Sequence, residues 1–375
     1  MTIYCGSPAE RVLCVAGDLD RDCVPEIVIG SRRPRAELLM LDRQEGGGWT
    51  AHLIDEGFGT LEAGGFLADL RGKSRLDLVA GQDARGDKLF WWECPQDPRQ
   101  RWTRREILTM PANKSHDQIV ADLEGDGRRE LYFWNQRSRT LFSVPVPADP
   151  TVSPWPGCEA ISVTESEEEG LAVADVDGDG RLELIAGQAW HQRSPSGRWN
   201  GHEFARGFTA PRLAAADFDG DGRAEIALAE GDASLAAHRP GRLAVFKPGR
   251  RPKELWDATI LRDDLLDPHS LQVADFDGDG RPDLFVGEMG MPDGSETRPP
   301  EQILYLNRGG RLEARVIDRG LGVHEAKAVA IDGRTCLVCK PYRSLNSPAP
   351  RAPDVDSIHL LVPVAQQAES GGSRR

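Results

Sequence analysis

The chain has no run of about 20 apolar residues, which excludes a helical membrane span. Its start, Met1 to Cys5, has neither a basic cluster nor an apolar stretch, so no secretory signal is read there. That favours a cytoplasmic protein; a secreted or periplasmic chain whose leader had been removed is the other reading. No Gly-x-Ser-x-Gly elbow, Walker loop or His-Glu-x-x-His helix is present, which leaves hydrolase and nucleotide-triphosphatase readings without a motif. The seven cysteines are an odd set without framework spacing. Cys336 and Cys339 are three apart in an expected strand and face opposite sides, so they are not read as a zinc or redox pair. Cations are in deficit too: 46 Lys and Arg against 60 Asp and Glu give a net charge of −14, which argues against a nucleic-acid partner.

What the chain does have is turns, with 40 glycines and 26 prolines in 375 residues, and one phrase repeated. Asp275, Asp277, Asp279 and Asp283 stand at positions 1, 3, 5 and 9 of a glycine-containing stretch, with the carbonyl of Arg281 at position 7. Hard oxygen donors at alternate positions of a tight turn suit Ca²⁺. Helices would flank an EF-hand loop, but here the flanks are short, β-prone and bounded by glycine, so the loop reads as a metal-clipped β-turn. Complete copies are Asp217, Asp219, Asp221, Arg223 and Glu225, and Asp175, Asp177, Asp179, Arg181 and Glu183. Asp122, Glu124, Asp126 and Glu130 make a nearly complete one. Asp18, Asp20, Asp22 and Glu26 keep the acids without the glycines. The copy at Asp69–Asp77 has Arg71 and Lys73 in its middle and should hold no metal. A shortened seventh copy lies at Ala330–Val338. The six clear copies begin 51, 53, 53, 42 and 58 residues apart, a period that means an array of multi-stranded units such as a propeller.

These loops, each between a strand ending in Ala-Asp or similar and an apolar strand, resemble FG-GAP (VCBS-type) repeats. The resemblance covers nearly the whole chain and implies an all-β, seven-bladed β-propeller with Ca²⁺ in its hairpins. It says little about function, because propellers host unrelated activities. One domain over residues 1–365 is expected, with a disordered tail at 366–375. Each unit reads as four strands; the first is Arg11–Ala16, Glu26–Gly30, Glu37–Leu41 and Trp49–Ile54. The last unit supplies only three, at Ala326–Ala330, Thr335–Lys340 and Ser357–Val364. The N-terminal strand at residues 2–5 is predicted to be its fourth, closing the ring and leaving no open edge. Trp49, Trp102, Trp199 and Trp256 open outer strands and are read as wedges between blades.

The metal loops join first to second strands, so they share one face of the disc. On the opposite face, His116 and His269 each precede a loop aspartate by six residues, and His324 takes the corresponding place in the last unit. Glu62, Glu169 and Arg212 stand near that place in other units. The ends of the second strands add Gln82, Asn135, Gln188, Glu230, Glu288 and Lys340, with Tyr342 beyond and His191 close to Gln188. One reading is a wet channel lined by polar side chains. The other is a metal or acid–base site, since imidazoles suit Zn²⁺, Mn²⁺ or Fe²⁺. His52, His202 and His359 lie in outer strands and are read as structural.

The stretches around His269 with Glu288, and His324-Glu325 with Lys340 and Tyr342, are similar to the propeller part of aldos-2-ulose dehydratase. This resemblance implies β-elimination on a keto-sugar or uronate. A channel metal on His116, His269 or His324 would polarise the carbonyl, a histidine or Glu325 would take the proton, and Tyr342 or Lys340 would protonate the leaving oxygen. Trp134 and Trp190 are candidates for stacking on the sugar. The opposing expectation is a non-catalytic, Ca²⁺-stabilised propeller that binds a glycan or a protein. The oligomeric state is not legible. Long loops at Met291–Pro300 and Ser344–Asp354 are candidate lids.

Overall fold

A computed structural model describes residues 1–32, 36–111, 113–231, 239–291, 298–342 and 355–362. The two candidate lids and the C-terminal tail lie largely or wholly outside the described residues. Seven four-stranded antiparallel sheets make up the fold. The first contains Arg11–Gly17, Glu26–Ser31, Glu37–Arg43 and Trp49–Glu56, within two residues of the bounds read from the sequence. The innermost strands touch their neighbours all the way round, and Arg11–Gly17 meets both Phe66–Ala68 and Glu325–Ile331. The protein is thus a seven-bladed β-propeller. Among the described residues, no helix is long and apolar enough to cross a membrane.

The physical reason lies in which faces are covered. Second strands such as Asp283–Glu288 and Glu225–Glu230 are buried along their length. Each is sandwiched between two blades, so both faces must be apolar and the strand loses its alternation. Outer strands such as Asp257–Leu265 face water and are largely polar or half-buried. Apolar clusters bridge adjacent blades: Val28, Met40 and Ile54 of the first pack on Leu78, Trp92 and Trp102 of the second. Trp256 lies in the equivalent cluster between the fourth and fifth blades, while Trp49 and Trp199 pack half-buried against theirs.

The last blade is composite. Thr2–Cys5 lies antiparallel to Ser357–Leu361 as its outer strand, and the Met1 amino group donates to the Leu360 carbonyl, 359 positions away. The turn of its inner hairpin is shorter than those of the other blades. Asp332 and Gly333, both in the left-handed region, make a two-residue turn between Ile331 and Arg334.

Candidate functional site

Four of the repeated loops gather their acids. Asp18, Asp20 and Asp22, then Asp175, Asp177 and Glu183, then Asp217, Asp219 and Glu225, then Asp275, Asp277 and Asp279, each bring carboxylate oxygens within 4.8 Å of one another. These clusters could hold a metal. The backbone explains the geometry. In the Asp275 loop, Gly278 and Gly280 take φ of 78° and 83°, which turns their amides onto the Asp275 carboxylate. The Asp18 loop lacks glycine there, yet Arg21 and Cys23 adopt φ of 71° and 69° and donate to Asp18 in the same way. The ninth-position acid starts the second strand and accepts from the second-position amide, at 2.7 to 2.9 Å for Glu26, Glu183, Glu225 and Asp283. Burial, aided by neighbouring loop carboxylates, pushes Glu26, Glu183 and Glu225 up to about 7.

Two loops differ. In the Asp69 loop, Arg71 donates to both oxygens of buried Asp77 at 2.8 and 3.0 Å and reaches Glu93, so a guanidinium supplies the positive charge internally. The Asp122 loop, expected to hold metal, does not gather its acids. Arg128 pairs with Asp126, while Tyr132 and Arg193 engage Glu130.

The opposite face carries a circuit of charged and aromatic groups with members from all seven blades. In the third blade a bulge between His116 and Gln118 leaves Asp117 at φ 42°. Asp117 Oδ2 lies 3.1 Å from His116 Nδ1 and accepts from the Gly170 amide of the fourth blade. Glu169 approaches His116 Nε2 at 3.6 Å and pairs with Arg212 of the fifth blade at 2.9 Å. Burial lowers the His116 pKa, but Glu169 and Asp117 outweigh it and hold the imidazole above its ordinary value. Burial works against the Asp117 charge as well, and His116 and Arg212 overcome it.

Arg212 continues into the sixth blade, with Nη2 3.1 Å from both ring nitrogens of His269. A second bulge, between Pro268 and Ser270, presents that histidine. His269 stacks on His324 of the seventh blade, ring centroids 4.4 Å apart. His324 Nδ1 is 2.9 Å from Nζ of Lys340, which also donates to the Arg11 carbonyl and lies 3.8 Å from Glu325. Burial, then the charges of Lys340 and its neighbours, drive the His324 pKa well below its usual value. Burial lowers Lys340 to about 8, with Glu325 opposing. Tyr342 packs on His324 at 4.9 Å and receives a hydrogen bond from Arg32, which in turn pairs with Glu62. Lys114, its charge favoured by Glu62, Glu169 and Glu167 against burial, closes the circuit.

This arrangement corrects several expectations. His116, His269 and His324 form no three-donor group with any His, Cys, Asp or Glu among the described residues. An ammonium faces His324 and a guanidinium faces His269, so this donor set does not fit a divalent cation. Glu288, expected at the channel, is fully buried and accepts from the Leu266 and Glu301 amides and from Arg298. Gln82 binds the Phe58 carbonyl and the Asp87 and Lys88 amides, and Asn135 the Lys114 amide. Gln188 accepts from the Phe208 amide. All four pin connections. Trp134 and Trp190 are buried between blades, donating to the Gly170 and Pro252 carbonyls, and offer no stacking face. His191 pairs in register with Leu184, near the metal loops, and lines a cavity of about 40 Å³ with Glu124, Asp179 and Glu183. Asp117, Lys114 and Arg32 belong to the circuit without any motif in the sequence to mark them. Asp117 adjoins His116, and that adjacency was its only signal.

Residues 268–295, which contain His269, the Asp275 loop and Glu288, match the FG-GAP repeat family. The chain carries an FG-GAP repeat. No curated protein matches it. Among solved structures it is similar to BBS1N in complex with ARL6DN, in a lead-soaked crystal (12% identity, 98% of this chain and 97% of that chain, TM-score 0.54) and a mercury-soaked one (11%, 98% of each, 0.57). At such identity the likeness concerns the fold alone.

Proposed function

We propose that the circuit face of this FG-GAP propeller is the active site of a carbon–oxygen lyase acting on a uronate or keto-sugar. The observation that carries the reading is the buried contact of His324 with Lys340. Removing a proton beside a carboxylate or carbonyl needs an unprotonated base and a positive field where the enolate develops. His324 is depressed by burial and by Lys340, and Arg212 and Lys340 supply the field. In the step proposed, His324 takes the α-proton and the C–H pair becomes the new C=C bond. The β-oxygen leaves with its bonding pair and takes a proton from Lys340 or Tyr342. Arg212 and Arg32 orient the substrate carboxylate.

The test is incubation with keto-sugars and uronate oligosaccharides, following the ultraviolet absorbance of the conjugated product. Turnover that survives the double change His269→Ala, His324→Ala would refute the assignment. A wild-type protein inert toward every sugar would favour the second reading, a non-catalytic binding propeller. Support for that reading comes from BBS1N, a protein of the same fold, crystallised in complex with ARL6DN.

On the other face, we infer that Ca²⁺ is the structural ion of the four acid-gathering loops. Asp275, Asp277, Asp279, Asp283 and the carbonyl of Arg281 would hold it in the sixth blade, with the corresponding residues in the fourth, fifth and first. Bound there, the ion offsets repulsion among carboxylates and orders the hairpin.

A further inference from the structure

We propose that Lys247 is a tethered counter-cation that keeps the Asp217 loop a weak calcium site, so that the Asp175 loop, which carries Gln192 at the same place, fills first. The inference rests on the Ca²⁺ reading of the loops and adds an order among them.

In each blade one residue of the third strand lies opposite the ninth-position acid. Register identifies it: Ile226 pairs with Phe246, which places Lys247 opposite Glu225, and Leu184 pairs with His191, which places Gln192 opposite Glu183. Nζ of Lys247 contacts Asp219, lies 3.1 Å from Asp221 Oδ2 and 3.5 Å from Glu225 Oε1. That Glu225 oxygen is buried and accepts no hydrogen bond, although its residue is only 3% exposed. Its residue is one of the three acids whose carboxylates gather in this loop, with Asp217 and Asp219, while the other Glu225 oxygen accepts from the Phe218 amide. The Lys247 ammonium faces Oε1 from 3.5 Å without a hydrogen bond. The Lys247 side chain is 46% exposed, so it can swing into water when an ion arrives.

The Asp175 loop gathers the same three kinds of acid. There Gln192 offers only its amide, with Nε2 3.4 Å from Asp177 Oδ2. A neutral amide neither neutralises the carboxylates nor repels a divalent ion. The Asp275 loop resembles the lysine case by another route, since Arg308 pairs with Asp277 and Asp279 at 2.7 and 3.0 Å. In the Asp18 loop, Arg99 pairs with Asp20 at 2.8 Å. The four acid clusters therefore differ in the cation held against them: among the described residues the Asp175 cluster makes no ion pair, and Lys253 acts on Asp177 only from beyond contact distance.

Calorimetric titration of CaCl₂ into the metal-stripped full-length protein tests this. Lys247→Gln should tighten one class of sites roughly tenfold, the scale for removing a unit charge a few ångströms from a divalent ion at a solvated surface. Gln192→Lys should weaken the tightest class by a similar factor. The Lys247→Gln gain should vanish when Asp217→Asn removes the loop it acts on. Wild-type protein that binds calcium with an affinity indifferent to both single changes would overturn the inference while leaving the loops as calcium sites. Wild-type protein that binds no calcium would overturn the loop reading, and this one with it.

Discussion

Calcium binding should expel protons from this propeller, and the number should depend steeply on pH. Glu26, Glu183 and Glu225 sit near pKa 7 because burial and neighbouring carboxylates disfavour their charge. A calcium ion needs the carboxylate form, so a protonated loop must give up its proton to bind. With a pKa of about 7, each acid is roughly nine-tenths protonated at pH 6 and roughly one-tenth at pH 8. Three filled loops should thus release about 2.7 protons at pH 6 and about 0.3 at pH 8. The sign for stability follows. An acid whose folded pKa is raised stabilises the fold below its unfolded value and loses that contribution as pH climbs through the folded one. Through these acids the ion-free protein should weaken between pH 4.5 and 7, and added calcium should restore it most above pH 7. Calorimetry at each pH in buffers of different ionisation enthalpy counts the protons. Equal release at pH 6 and pH 8 would refute the reasoning.

Arg71→Ala should cost about 3 kcal/mol in urea denaturation, because it strands buried Asp77 without its guanidinium, and should leave calcium stoichiometry unchanged. Lys340, lowered from 10.5 to about 8, carries a burial penalty at neutral pH that is relieved as pH rises from 8 to 10.5. Over that window wild type should gain up to about 3 kcal/mol relative to Lys340→Met, measured as the difference between their unfolding curves. Cys23→Gly should stabilise the protein by about 0.5 kcal/mol or more, read from chemical denaturation, because Cys23 is exposed and held at φ 69° where glycine is unstrained.

The blade architecture was legible because its signal is local. Acids at alternate positions mark each turn, and the flanking apolar runs mark strands that neighbouring blades cover. The loops also announced which strand ends share a face, which is why His116, His269 and His324 were singled out. What those side chains touch was not legible. His324 is held by Lys340 across a strand pair, and His269 by Arg212 from another blade; no spacing along the chain encodes either contact. Two bulges, at His116/Gln118 and Pro268/Ser270, re-aim residues that a regular alternation would place differently. His191 failed for a simpler reason: a short turn carries its strand straight back toward the metal loops. The Asp122 loop departs from the pattern at its ninth position, where Tyr132 and Arg193 hold Glu130, and rivalry for a carboxylate is invisible in a pattern of acids alone.

Six blades are each woven from consecutive strands, so they can form as they leave the ribosome. Residues 2–5 have no such option, since the edge they complete is synthesised some 350 positions later. Until then the nascent disc is an open arc with a bare strand at either end, each a template for misplaced pairing. Only when the two extremities meet does every blade gain both neighbours, which makes this four-residue stitch the step that turns a row of hairpins into a single cooperative body.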